Sequence, residues 1–268
     1  MTDYTLLALN RVTVAHRLAE ISAQVSPGGL VHIIGPNGAG KSTLLACIGG
    51  LQPCGGDITL MGQPITSWGG AQLALRRGYL CQQALPYAAM PVFQYLALHQ
   101  PLNAGTKEID RTVSYLADAL ALTDKLARPL THLSGGEWQR VRLAAVLLQI
   151  WPALNPRAGL LLLDEPAASL DIAQRVALDA LLAEVAQSGI AVVVCAHDLN
   201  HTLQHASEVW LMSEGRLAAQ GDARQIMHPA VLSPVFGVDF TLLQAGSRPW
   251  LFAYGQEPGQ AVHHTTCL

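Results

Sequence analysis

Apolar and polar positions alternate along Leu7–Val14 and again along Ile21–Val25, the pattern of strands with one buried and one solvated face. The second run closes on the turn Pro27-Gly28-Gly29, so a β-rich edge is predicted for the N-terminal part. The next run, Leu30-Val31-His32-Ile33-Ile34, is mostly apolar without alternation, which fits a short strand covered on both faces. It leads into a glycine loop and a predicted helix from Lys41 to Leu51. Between about 84 and 150 glycine is sparse apart from Gly105, Gly135 and Gly136, and helical stretches such as Glu108–Leu122 dominate, so this span is predicted as a helical subdomain. Two further apolar runs of strand length, Leu160–Leu163 and Ala191–Cys195, flank a predicted helix from Ile172 to Gln187 that stops near Gly189. That order of elements predicts an α/β core of parallel strands. Val209–Gln220 reads as a hairpin turning at Glu214-Gly215, and residues 255–268, rich in Gly, Gln and His, as a frayed tail beyond a single domain spanning 1–254.

Composition narrows the function classes. Half of the 268 residues are hydrophobic, 13% are charged against a usual value of about 25%, and the net charge is −3. Such a chain folds rather than staying disordered. It lacks the broad basic face of a nucleic-acid binder, so no nucleic-acid partner is expected, and its low charge implies apolar surface covered by a partner. The richest apolar stretch, Leu143–Leu163, is interrupted by Gln149, Pro152, Asn155, Pro156 and Arg157 and is too broken to span a membrane. The opening MTDYTLLALNRVTV has no basic segment followed by an apolar run and a cleavage site, so a cytosolic location is expected. Five scattered cysteines without a CxxC pair read as reduced thiols.

Three motifs carry chemistry. Gly35-Pro36-Asn37-Gly38-Ala39-Gly40-Lys41-Ser42-Thr43 fits the phosphate-binding loop G-x-x-x-x-G-K-[ST], placed after an apolar strand and before a helix as that loop requires. Its glycines let backbone N–H groups turn around phosphate oxygens, Lys41 reaches the β and γ phosphates, and Ser42 ligates Mg2+. Leu160–Leu163 ends in Asp164 and Glu165, and two adjacent carboxylates at a strand end are costly to bury without a cation. Asp164 is the expected magnesium partner, and Glu165 the group that polarises the attacking water. In Leu133-Ser134-Gly135-Gly136-Glu137-Trp138-Gln139-Arg140, Ser134 and Glu137 form an S-x-x-E capping box at the start of a helix running to about Ile150. The two glycines at that start leave bare backbone, which reads as a second phosphate site.

In that order, GPNGAGKST, LSGGEWQR and LLLLDEP resemble the ATP-binding cassette of membrane transporters. The resemblance implies a P-loop nucleotide hydrolase core carrying an N-terminal antiparallel β subdomain and an inserted α-helical subdomain. It implies ATP with Mg2+ as the bound species and a head-to-tail pair of chains, in which Ser134, Gly135, Gly136 and Glu137 complete the partner's site. By the same resemblance Gln82 matches the glutamine loop and a magnesium contact, Asp171 the D-loop, and His197 the switch histidine that touches the γ-phosphate. His197 follows an apolar strand, so Gly35, Asp164 and His197 all fall at C-terminal strand ends, the ligand-binding edge of open α/β sheets. Where the family stacks an aromatic ring on adenine, this chain has His16 with Arg17 beside it, and either offers a π or cation–π contact.

From Leu30 to Ala206 the similarity is strongest to the ATP-binding subunits of bacterial cobalamin (vitamin B12) importers, carried also by MPVFQYLALHQ, SLDIAQ and HDLNHTLQHA. It implies a subunit at the cytoplasmic face of the inner membrane, docked on two transmembrane permease subunits and served indirectly by a periplasmic cobalamin-binding protein. The helical subdomain and the loop Ala84–Val92, where Met90, Phe93 and Tyr95 offer apolar contact, are the expected permease contact, core packing being the alternative for each of the three. An iron–siderophore or haem importer shares every active-site feature. A cassette ATPase of DNA repair or translation fits less well, because the interval from Gln82 to Ser134 holds no coiled coil and the chain has one cassette.

Overall fold

Short strands that are apolar on both faces must be sandwiched, and two layers of helix and sheet do this here. The computed structural model describes residues 5–82, 89–246 and 248–254. β1 (Leu7–Val14) pairs antiparallel with β2 (Leu18–Val25). After β3 (Leu30–Ile34) and α1 (Lys41–Ile48), the chain returns as β4 (Gly55–Leu60) on the other edge of β1, with the short β5 (Gln63–Pro64) outermost. There follow α2 (Gly70–Ala74), β6 (Arg77–Leu80), α3 (Val92–Ala97), α4 (Thr106–Ala119), α5 (Gly135–Ile150), β7 (Leu160–Asp164), α6 (Ile172–Gln187), β8 (Ala191–Cys195) and α7 (Leu199–His205). The last elements are β9 (Glu208–Ser213), β10 (Arg216–Asp222), α8 (Ala223–Ile226), α9 (Pro229–Phe236), β11 (Asp239–Ala245) and β12 (Arg248–Tyr254).

The central sheet has the order β10-β9-β3-β8-β7-β6, parallel throughout except for β10. Every residue of β7 and β8 is buried, and alternate residues serve opposite sides. Leu160, Leu162, Ala191 and Val193 join α1 and the N-terminal sheet in one core, while Leu161, Leu163, Val192 and Val194 join α5 and α6 in another. Because β3, β7 and β8 are parallel, their C-terminal ends emerge on one edge.

The predicted strands at 7–14, 30–34, 160–163 and 191–195 and the 172–187 helix are present, and the hairpin turns at Glu214 (φ 48°) and Gly215 (φ 76°) as expected. Three boundaries differ. α1 stops at Ile48 rather than Leu51 because Gly49 and Gly50 follow, Gly50 in the left-handed region at φ 67°. α4 covers 106–119 instead of 108–122, and β2 starts at Leu18. The β11–β12 hairpin was not predicted, since Pro249 interrupts its second run and argues against a strand except at an edge. Of the expected permease contacts, Phe93 is half exposed, whereas Met90 and Tyr95 pack against the helical core. Most of the loop Ala84–Val92 (84–88) and the tail 255–268 with its Cys267 lie outside the described residues; the other four cysteines are free thiols. No described helix is long and apolar enough to cross a membrane.

Candidate functional site

The glycine loop is shaped by close packing. Gly35 (φ 146°) follows β3 directly, and a Cβ there would stand 2.1 Å from the carbonyl oxygen of Met212. Gly40 (φ 99°) caps α1, where a Cβ would stand 2.8 Å from Leu18 Cδ2. No side chain caps that helix start, so its backbone N–H groups are presented to an anion. Lys41 is only 6% exposed and donates from Nζ to the carbonyls of Gly35 (2.8 Å) and Pro36 (3.0 Å), with burial pulling its pKa down. Ser42 Oγ donates to Asp164 Oδ1 at 3.1 Å. Burial raises the Asp164 pKa, opposed by hydrogen bonds from Ser42 and Cys195 and by the charge of Lys41.

Glu165 sits just beyond β7 with φ 51°, a conformation a non-glycine residue adopts only when its surroundings impose it. Its N–H donates to the Cys195 carbonyl at 3.2 Å, which ties it to β8. Its Oε1 accepts from Gln82 Nε2 at 2.8 Å and also meets His197 Nε2. Three parallel strands, β6, β7 and β8, thus deliver an amide, a carboxylate and an imidazole to one oxygen atom. These three groups, with Asn37, Gly38, Gly40, Lys41, Ser42 and Thr43, line a cavity of about 220 Å³. Pro36 and Ala39 do not line it; Ala39 is buried and its carbonyl accepts the Gly215 N–H at 3.1 Å.

A second cavity, of about 380 Å³, shares Arg17 and Gly38 with the first and is lined by His16 and by Glu214, Gly215 and Arg216. The two positions weighed for base stacking therefore stand beside the phosphate loop. The β9–β10 turn joins them, which no local sequence signal announced.

Ser134 caps α5: its Oγ accepts from the Glu137 N–H (3.2 Å), and Glu137 Oε2 accepts from the Ser134 N–H (2.8 Å). The Ser134 N–H, with Arg128 and Lys125 nearby, holds the Glu137 carboxyl below its usual range. Among the described residues nothing lies within 4 Å of where a Gly135 Cβ would be, whereas at Gly136 it would stand 2.9 Å from the Ser169 carbonyl oxygen. None of 134–137 lines the glycine-loop cavity. Asp171 does not reach it either; it caps α6 in a capping box with Gln174.

Two residues of α5 connect the parts. Arg142 donates to the Cys81 carbonyl and to Gln139 Oε1 (3.0 Å), and Gln139 Nε2 donates to the Pro166 carbonyl at 3.0 Å. The helix that begins at Ser134 therefore grips the residues next to Gln82 and Glu165. Sequence reasoning missed both, since polar residues on a long helix carry no signal of a distant backbone partner.

Residues 18–168 match the model of the ABC transporter family. The chain belongs to this family. It is 58% identical over 245 residues to the vitamin B12 import ATP-binding protein of Pectobacterium atrosepticum, covering 91% of this chain and 98% of that protein. It is 54% identical over 246 residues to the protein of the same name from Yersinia pseudotuberculosis, covering 92% and 97%. Among solved structures, an ATP-binding subunit of an ABC transporter superposes with a TM-score of 0.76 at 23% identity, over 87% of this chain and 98% of that one. CbiO1 from Clostridium perfringens, part of the ABC transporter complex cbiONQ, gives 0.68 at 24% identity over 86% and 93%. The ABC transporter fold is thus shared with both.

Proposed function

We propose that this ABC transporter chain is the ATP-hydrolysing subunit of a vitamin B12 importer, in a domain spanning 1–254. It works as a head-to-tail pair at the cytoplasmic face of the inner membrane, docked on two permease subunits and served by a periplasmic cobalamin-binding protein. The observation that carries the ATPase reading is the convergence of Gln82 and His197 on Glu165 Oε1 at the mouth of the glycine loop. The names and coverage of the relatives support the cargo.

The residues divide the work. Backbone N–H groups at the start of α1 hold the phosphates, and Lys41 exchanges its loop carbonyls for β- and γ-phosphate oxygens. Glu165, oriented from two sides, takes the proton of the attacking water, while His197 turns to the γ-phosphate. The pair of Asp164 carboxylate and Ser42 hydroxyl is a hard oxygen set that fits Mg2+, with the Gln82 amide as a further donor. Bound there, that ion neutralises charge on the β and γ phosphates. Ser134, Gly135, Gly136 and Glu137, lying outside their own chain's cavity, contact the γ-phosphate held by the second copy, and Asp171 lies at that junction. Phe93, Leu98 and Leu102, the last 97% exposed, offer apolar surface for the permease.

Uptake into liposomes that contain this subunit with its copurifying membrane partner tests the reading, with cobalamin and a ferric siderophore as competing cargoes. ATP-dependent cobalamin uptake that is lost in Glu165→Gln is expected. Transport of the ferric chelate alone keeps the motor and overturns the cargo.

A further inference from the structure

Behind the switch histidine lies a cluster that the ATPase chemistry does not use. α7 carries His201 and His205, four residues apart and therefore on one face of the helix, with ring centroids 4.5 Å apart and planes 23° from parallel. α6 faces them with Asp179. His201 Nε2 is 2.9 Å from Asp179 Oδ1, and His205 Nε2 is 3.6 Å from Asp179 Oδ2, so two imidazoles address opposite oxygens of one carboxylate. One ligand atom from each residue lies within 4.8 Å of the other two.

We propose that Asp179, His201 and His205 form a binding site for a divalent transition-metal ion of the zinc class, distinct from the magnesium site at Ser42 and Asp164. An ion at about 2.0–2.2 Å from each tetrahedral donor needs donor separations of roughly 3.3–3.5 Å, which small side-chain rotations reach from the present positions. Two imidazoles with one carboxylate favour Zn2+, Ni2+ or Co2+ over Mg2+ or Ca2+, which prefer all-oxygen sets. An open coordination position remains for water. The site is reachable: His205 faces solvent, and Asp179 and His201 line a cavity of about 190 Å³ that extends to Glu165 and His197. The ring of His32, buried and 5.8 Å from His201 centroid to centroid, backs the cluster. α6 opens at the Asp171 cap and α7 lies just after His197, so an ion here staples together the two helices that follow the D-loop and the switch histidine.

The competing account is a carboxylate that simply accepts hydrogen bonds from two imidazoles, and zinc titration separates the two. The full-length chain, stripped of metal by a chelator and without nucleotide, is titrated with Zn2+ by calorimetry at constant neutral pH. Wild type is compared with His205→Ala, Asp179→Asn and a His263→Ala/His264→Ala control for the tail imidazoles. One equivalent of zinc bound in the micromolar range or tighter is expected, weakened at least about tenfold in His205→Ala and in Asp179→Asn and retained in the tail control. Substitution with Co2+ should give a visible absorption band that disappears in His205→Ala. Since His205 is half exposed, that variant keeps the fold, which circular dichroism verifies, and it decides the matter even if Asp179→Asn does not fold. Absence of saturable binding below about 100 μM, an unchanged equivalent in His205→Ala, or loss in the tail control alone would each overturn the site.

Discussion

The two glycine-rich segments of this chain, the glycine loop at 35–43 and the helix start at 134–137, are built in opposite ways. The first is packed against its own chain at both ends, with Asn37 and Gly38 exposed between them. Gly35 packs on the Met212 carbonyl, Gly40 packs on Leu18, the Lys41 ammonium is buried on its own loop, and Ser42, Asp164, Glu165, Gln82 and His197 complete it within one chain. The second is an open surface. Its capping box settles the local backbone, but among the described residues nothing lies within 4 Å of where a Gly135 Cβ would be, Glu137 pairs with the partly exposed Arg128, and Gly136 abuts the Ser169 carbonyl. A pocket lined within one chain can bind its ligand alone, whereas an exposed helix start offers its N–H groups to whatever anion reaches it. The difference teaches that the groups around the glycine loop are assembled within one chain, whereas the helix start stands apart from that cavity and is open to contact from outside.

The largest test attacks the packed half. Glu165→Gln keeps the side-chain volume but removes the base, so turnover should fall about 10²- to 10⁴-fold while nucleotide affinity is retained. Steady-state ATPase rates beside nucleotide titrations measure both, and an undiminished rate would remove Glu165 from its role. Lys41→Ala removes a charge-assisted hydrogen bond worth about 1.5–3 kcal/mol, so nucleotide should bind roughly 10- to 100-fold more weakly. Unchanged affinity would mean that the buried ammonium stays on the Gly35 and Pro36 carbonyls when phosphate arrives.

The paired glycines sharpen the other side. Gly136→Ala places a methyl against the Ser169 carbonyl and should cost about 1–3 kcal/mol in urea unfolding of the free chain. Gly135→Ala meets nothing within 4 Å among the described residues, so free-chain stability should hold while the proposed ATP-driven pairing, read by sedimentation in the Glu165→Gln background, should weaken. If the two variants behave alike, the helix start is not an interchain contact.

The packed half was legible because its chemistry depends on residue types at fixed spacing. Glycines, a lysine and adjacent acids follow short apolar runs, and parallel strands bring such run-ends to one edge. The capping box was legible for the same reason, being a local pattern. What escaped were contacts between distant positions made by ordinary residues. Arg142 reaches the backbone of Cys81 from an interior helix turn, and the Glu214–Arg216 turn stands beside Arg17 only because β10 folds back on β9. Asp179, His201 and His205 showed only their i, i+4 histidines in sequence, and the carboxylate that joins them comes from another helix. The shared oxygen of Glu165 was equally invisible, since strand order places Gln82 and His197 at the edge without saying that both meet one atom.

The last expected effect, seen only on acidification, concerns the strand that carries the glycine loop. His32, in β3, is buried with its Nδ1 3.0 Å from Thr202 Oγ1 and faces His201, His205 and Asp179 from α7 and α6. Burial, reinforced by the two neighbouring histidines, lowers its pKa to about 3, against an ordinary value of 6.5. Between those values the unfolded chain binds a proton that the folded chain refuses, so this residue makes the fold lose stability as pH falls and regain it as pH rises. From pH 6.5 to pH 5 the loss should be about 1.6 kcal/mol, the slope rising from half to nearly the full value of about 1.4 kcal/mol per unit of pH. His32→Gln, uncharged in both states, should unfold in urea with a flatter acid limb than wild type over that range, whatever its stability at pH 7.5. Parallel limbs would show that the acid sensitivity of the fold does not come from His32.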